Sequence, residues 1–168
     1  FSRDKDGNGA VVMFAELAAY AASVGKTIID VLDDVYAELG YYMEVNKSCF
    51  FEGAEGAAKI AKLADSYASN PPTEIDGVSA TVMDFNKQTI HDEEGEVVPK
   101  AKMIIVKLAD GRQVTGRPSG TEPKIKYYMF GFSGPASGSR MSAEELAQAK
   151  TSAKEGLDRL WTWIQADI

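Results

Sequence analysis

The chain has 168 residues, of which 45% are hydrophobic and 26% are charged, close to the averages of globular proteins, which excludes disorder, collagen and coiled coil. Its net charge of -7 has the wrong sign for a protein that binds nucleic acid without regard to sequence, so any bound anion must be held by a local basic cluster. The only cysteine, Cys49, has no disulfide partner within the chain, and no apolar run has the length of a membrane span. We therefore expect a cytoplasmic protein without nucleic-acid or membrane partners.

Two amphipathic helices are predicted at the start of the chain. Apolar residues recur at helical spacing from about Asn8 to Val24, and the glycine that follows readily ends a helix. A second helix is predicted from Thr27 to Gly40, because Asp30 completes a short capping box with Thr27. Since only two or three residues join the two helices, we predict an antiparallel helical hairpin. The chain begins at Phe1 rather than at methionine, and we expect it to be a piece of a longer protein.

After Gly40 the sequence becomes rich in β-forming residues. One helix interrupts this part, at about residues 57–67, and Pro71-Pro72 must end it. Strands are predicted at residues 41–51, 78–85, 103–108, 112–115 and 124–132. A capping box of Ser142 and Glu145 begins a last helix that reaches the end of the chain. This order predicts an α+β fold, an antiparallel sheet of about four to five strands with helices packed on one face, preceded by the helical hairpin.

The segment Asp4-x-Asp6-x-Asn8-Gly9 matches the first half of a calcium-binding EF-hand loop. The match fails at its twelfth position, which is Ala15 instead of an acidic residue, and no helix precedes the loop. The alternative is a helix N-terminus, whose free N–H groups, together with Lys5 and Arg3, are suited to phosphate. From the residues alone both alternatives stay open.

A second motif, Gly116-Arg-Pro-Ser-Gly-Thr-Glu-Pro-Lys-Ile-Lys126, is here called the Arg117 loop. Its arginine offers a planar fork of donors for an oxyanion, its serine and threonine offer hydroxyls, and its second glycine allows close approach to backbone N–H groups. Arg117, Lys124 and Lys126 concentrate positive charge in an acidic protein. These features favour an anion site, and the alternative is an ordinary glycine-proline turn between two strands. In the strand that follows, Tyr127 and Tyr128 alternate, so one should face the core and the other a cleft or solvent.

Residues 116–128 resemble the phosphate-binding loop of the α-D-phosphohexomutases, the phosphoglucomutase and phosphomannomutase superfamily. Arg3-Asp4-Lys5-Asp6-Gly7 and the helix after it are similar to the end of that family's third domain. The resemblance implies that residues 1–44 are a helical remnant of the third domain and that residues 45–168 are the C-terminal phosphate-binding domain. It also implies a set of ligands for the substrate phosphate that does not react: Arg117, Ser119, Gly120, Thr121, Lys126 and Lys5.

The resemblance further implies an intramolecular phosphotransferase as the full-length protein, which interconverts hexose 1-phosphate and 6-phosphate. The family uses a phosphoserine, Mg²⁺ and a bisphosphorylated intermediate such as glucose 1,6-bisphosphate. Its catalytic serine motif, metal loop and sugar loop have no counterpart here, so we predict no catalytic or metal-binding residue in this chain and no activity for the chain alone. The expected partners are a phosphosugar and upstream domains of the same polypeptide, and the preferred sugar is left open. The alternative is a free-standing module that binds phosphoesters or calcium without catalysis.

Overall fold

The computed structural model describes residues 4–135 and 139–167. Contacts divide the chain into two compact units, Phe1–Tyr41 with Gly134–Ala149, and Tyr42–Ser133 with Lys150–Ile168. The helices and strands, numbered in chain order, are α1 (Gly7–Ser23), α2 (Ile28–Leu39), β1 (Tyr41–Phe50), α3 (Gly53–Ser69), β2 (Glu74–Ile75), β3 (Val78–Asp84), β4 (Ile104–Leu108), β5 (Gln113–Pro118), β6 (Lys124–Ser133) and α4 (Ala143–Asp167).

Side-chain caps begin both N-terminal helices. The carboxylate of Asp6 accepts a hydrogen bond from the N–H of Gly9 at 2.8 Å and so caps α1. At the start of α2, the Thr27 hydroxyl accepts from the N–H of Asp30 at 3.2 Å, and the Asp30 carboxylate accepts from the N–H of Thr27 at 2.8 Å. The predicted capping box is therefore confirmed.

The antiparallel arrangement predicted for α1 and α2 is wrong, because their axes meet at 90°. Gly25, with a left-handed φ of 70°, and the extended Thr27, with a ψ of 166°, lie in the turn between the helices. Ala37 of α2 is buried against apolar side chains at the start of α4, with Met141, Leu146 and Ala149. The apolar face of α2 thus packs on a segment distant in sequence instead of along α1.

Most apolar side chains of α1 are exposed in this unit, including Val11, Val12, Met13 and Phe14, each between 59% and 69% exposed. Within the described residues, no helix by itself has the length and apolar character that a membrane crossing requires. The bent pair of α1 and α2 meets that criterion of length and composition only when both helices are counted together.

The second unit contains a six-stranded sheet in the order β1-β6-β5-β4-β3-β2, and the pairs from β2 through β6 are antiparallel. It has one strand more than predicted. The two-residue strand β2 escaped the strand pattern because it is too short to show alternation. It turns into β3 through Asp76-Gly77, whose φ values of 55° and 72° are those of a tight hairpin turn.

Helices α3 and α4 cover one face of the sheet, as predicted. Alternate residues of the central strands point to this face and are buried, among them Val106 of β4 and Tyr127 of β6. Leu157, Leu160 and Ile164 of α4 are almost completely buried in the same core. α4 begins at the predicted capping box, in which Ser142 N–H donates to Glu145 at 2.7 Å and Glu145 N–H donates to the Ser142 hydroxyl at 3.2 Å. The α+β prediction is confirmed.

A buried arginine ties α4 to the sheet. The side chain of Arg112, only 9% exposed, donates to Asp110 at 2.8 Å, to Asp76 at 2.9 Å and to the backbone oxygen of Gly156 at 2.9 Å. A Cβ atom at Gly156 would lie 3.2 Å from Cδ of Arg112, so the helix backbone approaches the arginine closely. Arg159 of α4 donates to the same Asp76 at 2.8 Å. This cluster holds the middle of α4 beside the β4–β5 turn.

Candidate anion-binding site

The Arg117 loop is held in shape by hydrogen bonds to its own backbone and to the end of β1. The N–H of Ser119 donates to the carbonyl of Lys124 at 2.9 Å, which closes the turn between β5 and β6. The Ser119 hydroxyl accepts from the N–H groups of Glu122 at 3.3 Å and Thr121 at 3.5 Å. The N–H of Phe51, directly after β1, donates to the carbonyl of Pro123 at 2.9 Å. The loop is therefore braced from two sides.

One pocket of about 240 Å³ lies on this loop and brings together five of the six predicted phosphate ligands. We call it the Arg117 pocket. Its lining consists of Arg117, Pro118, Ser119, Gly120, Thr121, Lys126 and Tyr128. The sequence motif did not single out Pro118, whereas Tyr128 fits the expectation that one of the two adjacent tyrosines faces a cleft.

Strand register explains how the two basic side chains come together. Arg117 of β5 lies directly opposite Lys126 of β6, and the preceding pair is Gly116 opposite Tyr127. Tyr127 is buried in the core against the helices, so the alternation of strand residues places Arg117 and Lys126 on the other face of the sheet. The Arg117 pocket thus opens on the face that α3 and α4 leave uncovered.

The pocket is electrostatically suited to an anion. No ion pair within the described ranges joins Arg117 or Lys126 to a carboxylate. Neither cation is therefore in an ion pair within the described residues, and both line the pocket in a chain of net charge -7. The fork of the arginine can bind two oxygen atoms of a phosphate at once, while the lysine acts as a point charge.

Lys124 does not belong to this pair of cations, although the sequence grouped it with them. Its side chain is only 13% exposed, and its Nζ donates to Oε2 of Glu122 at 2.6 Å. The ammonium also lies 5.1 Å from the centre of the Phe50 ring. The hydrogen bond from Lys124 lowers the pKa of Glu122, and the charge of Lys126 lowers it further. Glu122 and Lys124 are thus a neutralised pair, and neither residue lines the pocket.

Gly120 leaves space at the rim of the pocket. A Cβ atom built on it would meet nothing within 4 Å, and its φ is not in the left-handed range. The fold therefore does not require glycine at this position. A missing side chain here gives a ligand access to the backbone N–H groups of the loop.

Lys5 lies in the first unit and not in the unit of the Arg117 pocket. Its ammonium donates to Asp4 at 2.8 Å, its side chain is 93% exposed, and the contact lowers the pKa of Asp4. Its predicted role as a phosphate ligand stays a prediction, and Arg3 lies outside the described residues. Asn8 and Gly9 lie within α1, capped by Asp6, which favours the helix N-terminus over the calcium loop. The described residues contain no group of three or more His, Cys, Asp or Glu placed to hold a metal ion.

Comparisons with known proteins show which proteins this chain is similar to. No protein-family model matches the chain. It is 34% identical over 135 residues to a phosphoglucomutase of Staphylococcus haemolyticus, a match that covers 77% of this chain and 24% of that protein. It is also 34% identical over 127 residues to a "Probable phosphomannomutase" of Haemophilus influenzae, covering 76% of this chain and 24% of that protein. The chain spans about a quarter of the length of the curated relatives it matches.

A solved structure has the same fold. The open form of pp63/parafusin from Paramecium, described as a phosphoglucomutase, matches with a TM-score of 0.53 and 18% sequence identity over 94% of this chain and 28% of that one. At this identity the likeness shows the fold alone.

Proposed function

Because the chain is homologous to the C-terminal part of phosphoglucomutases and phosphomannomutases, we propose that the Arg117 pocket holds the phosphate of a hexose phosphate that is not being transferred. The single observation that carries this proposal is the lining of the pocket. It combines an arginine and a lysine, neither of them in an ion pair, with an open glycine and three hydroxyl-bearing side chains, those of Ser119, Thr121 and Tyr128. This combination offers charge, directed donors and access to the backbone, which a phosphate dianion needs for tight binding.

The proposed role of this pocket in the whole protein is to supply binding energy. A phosphate held by Arg117 and Lys126 fixes one end of the sugar, and that energy supports the reaction at the other end. The whole protein would be an intramolecular phosphotransferase acting through a phosphoserine and glucose 1,6-bisphosphate. On this proposal residues 1–44 end the third domain, residues 45–168 form the fourth, and Lys5 is a further substrate contact. The partners are a phosphosugar and the upstream domains, in the cytoplasm.

The Mg²⁺ that the family implies finds no fitting site in the described part of this chain, which offers no cluster of three or more metal-binding side chains. We therefore assign no step to the metal here. Phosphoryl transfer needs metal charge and precise positioning as well as a grip on the substrate. The chain by itself is accordingly proposed to bind phosphosugar without mutase activity, and turnover by the pure chain would contradict this.

The proposal is tested by titrating the ¹⁵N-labelled chain with glucose 1,6-bisphosphate and following the amide signals of Gly116, Ser119, Gly120 and Thr121. We expect saturable shifts confined to these signals and larger than those caused by sulfate. Lys126→Ala should weaken binding, because it removes one of the two cations that face the pocket. An absence of shifts at millimolar ligand would contradict the proposed function of this chain.

A matched control variant is available. Lys107 of β4 is exposed, and the register through Gln113 places it on the same face of the sheet as the pocket. It does not line the Arg117 pocket. Lys107→Ala therefore removes the same charge from the same face without touching the site, and it should leave the affinity nearly unchanged. Equal losses in the Lys107 and Lys126 variants would mean that general charge, and not the pocket, attracts the bisphosphate.

A further inference from the structure

The Arg117 loop carries a carboxylate of its own next to the pocket that is proposed to bind phosphate. Glu122 follows Thr121 directly, and its side chain is 52% exposed. Carboxylates and phosphates are both oxyanions, and an arginine fork binds either one. A glutamate free to turn toward the pocket would therefore compete with the ligand from within the same molecule.

We propose that Lys124 is a positioning residue that holds the Glu122 carboxylate away from the Arg117 pocket and so keeps the pocket open to a phosphate ester. This inference rests on the proposed function of the pocket. It adds the residue that keeps the pocket free of the Glu122 carboxylate.

The geometry of Lys124 supports a positioning role. Its Nζ contacts Glu122 at 2.6 Å, and its side chain is mostly buried, with the ammonium over the Phe50 ring. The backbone N–H of Lys124 also donates to the carbonyl of Glu122 at 2.7 Å. Phe50 is the last residue of β1, and Phe51 anchors the loop through Pro123. The lysine is thus fixed from a neighbouring strand and can hold the glutamate in one direction.

Glu122 is tied by a backbone hydrogen bond to a residue of the pocket lining, and the charge of Lys126 acts on its carboxyl. Its N–H donates to the hydroxyl of Ser119, a residue that lines the Arg117 pocket. The charge of Lys126 already acts on the Glu122 carboxyl and lowers its pKa. When the ion pair with Lys124 is removed, Lys126 is the remaining cation that acts on this carboxylate. Occupation of the pocket by Glu122 then reduces the fraction of molecules that can bind ligand.

The test compares three variants of the full chain by calorimetric titration with glucose 1,6-bisphosphate. Lys124→Met keeps the apolar stem against Phe50 but frees Glu122, and we expect binding about fivefold weaker, which corresponds to a pocket occupied by Glu122 in about four-fifths of the molecules. Lys107→Met loses the same charge, and its affinity for the bisphosphate should stay within about twofold of that of the unchanged chain. The double variant Lys124→Met/Glu122→Gln restores the original net charge and should recover the original affinity. Equal losses in the two single variants, or no recovery in the double variant, would overturn the proposal.

A second measurement needs no ligand. The carboxyl ¹³C signal of Glu122 is followed against pH in the Lys124→Met variant. In the unchanged chain Lys124 and Lys126, but not Arg117, lower the pKa of Glu122. If the carboxylate turns to the pocket in Lys124→Met, Arg117 also stabilises its charged form, so its pKa stays below the ordinary value and rises when Arg117→Met is added. A return to the ordinary value in Lys124→Met alone would show that Glu122 stays in solvent and would refute the positioning role. An unchanged chain that fails to bind bisphosphate contradicts the proposed function, while this titration still decides the role of Lys124.

Discussion

Replacement of Arg112 by methionine probes the contact that fixes α4 to the sheet. Methionine keeps an apolar stem of similar shape in the space beside Gly156, so the change removes the charged fork and little packing. It deprives the Gly156 carbonyl of its donor and takes one partner from each of Asp76 and Asp110. The arginine itself is only 9% exposed, so water cannot easily replace its hydrogen bonds.

The expected loss of stability follows from the burial of each partner. Removing one member of a buried ion pair costs about 3–5 kcal/mol, and leaving a buried carbonyl without a donor costs about 1–3 kcal/mol. The two carboxylates are 26% and 38% exposed and regain part of their hydration, and Asp76 keeps its bond to Arg159. We therefore expect Arg112→Met to lower the free energy of unfolding of the second unit by about 2–4 kcal/mol. Arg159→Met, at a 55% exposed side chain with the same Asp76 partner, should cost less than about 1 kcal/mol.

The assay is urea unfolding followed by tryptophan fluorescence. Trp161 and Trp163 both lie in the second unit and pack against its core, so their signal reports on that unit and not on the α1–α2 region. The slope with urea must be the same in all variants for the midpoints to be compared as stabilities. A loss in Arg112→Met no larger than the loss in Arg159→Met would refute the reasoning, because burial would then make no difference.

Two further predictions concern acid stability and the pocket. Hydrogen bonds from Arg159 and then Arg112 lower the pKa of Asp76 from its ordinary 3.8, so this carboxylate contributes stability that is complete above that value and is lost as the pH falls through the lower folded pKa. Urea midpoints measured across this acid range should fall less steeply in Asp76→Asn, and an unchanged slope would remove Asp76 from the acid response. Gly120→Ala should leave the urea midpoint unchanged, since the added Cβ meets nothing in the fold, while weakening glucose 1,6-bisphosphate binding in calorimetry. A large drop in midpoint would show that this loop position contributes to folding.

The element pattern of this fold is predictable where local chemistry determines it. The capping pairs Thr27 with Asp30 and Ser142 with Glu145 mark the starts of α2 and α4, because each needs only four consecutive residues. The crossing of α1 and α2 is not local. The angle between the helices depends on the apolar surface against which Ala37 packs, and α4 with the residues just before it provides that surface. The two-residue strand β2 is too short to show periodicity, so the strand pattern did not predict it, although an Asp-Gly dipeptide forms the turn that follows it.

In the candidate site too, the features set by neighbouring residues were predictable, and the feature set by a distant strand was not. Its pocket residues are nearly consecutive in the chain, and the closure of the loop is a hydrogen bond between Ser119 and Lys124, so the sequence motif identified them together. The direction of the Lys124 side chain was not predictable from that motif. It depends on the ring of Phe50, which another strand brings to the loop. The motif contains three basic residues, but only Arg117 and Lys126 line the pocket.

The two faces of the sheet separate stability from binding in this unit. Strand β5 follows Arg112 at one end and carries Arg117 at the other, and its register with β6 alternates between the helix-covered face and the open face. Tyr127 belongs to the core and lies opposite Gly116, whereas Arg117 and Lys126 line the pocket. Because neighbouring residues of one strand point to opposite faces, a change of charge in the pocket removes no core contact. The cations can therefore remain without counter-ions, since the buried core on the other face, and not pairing within the pocket, supplies the stability that holds the loop in place.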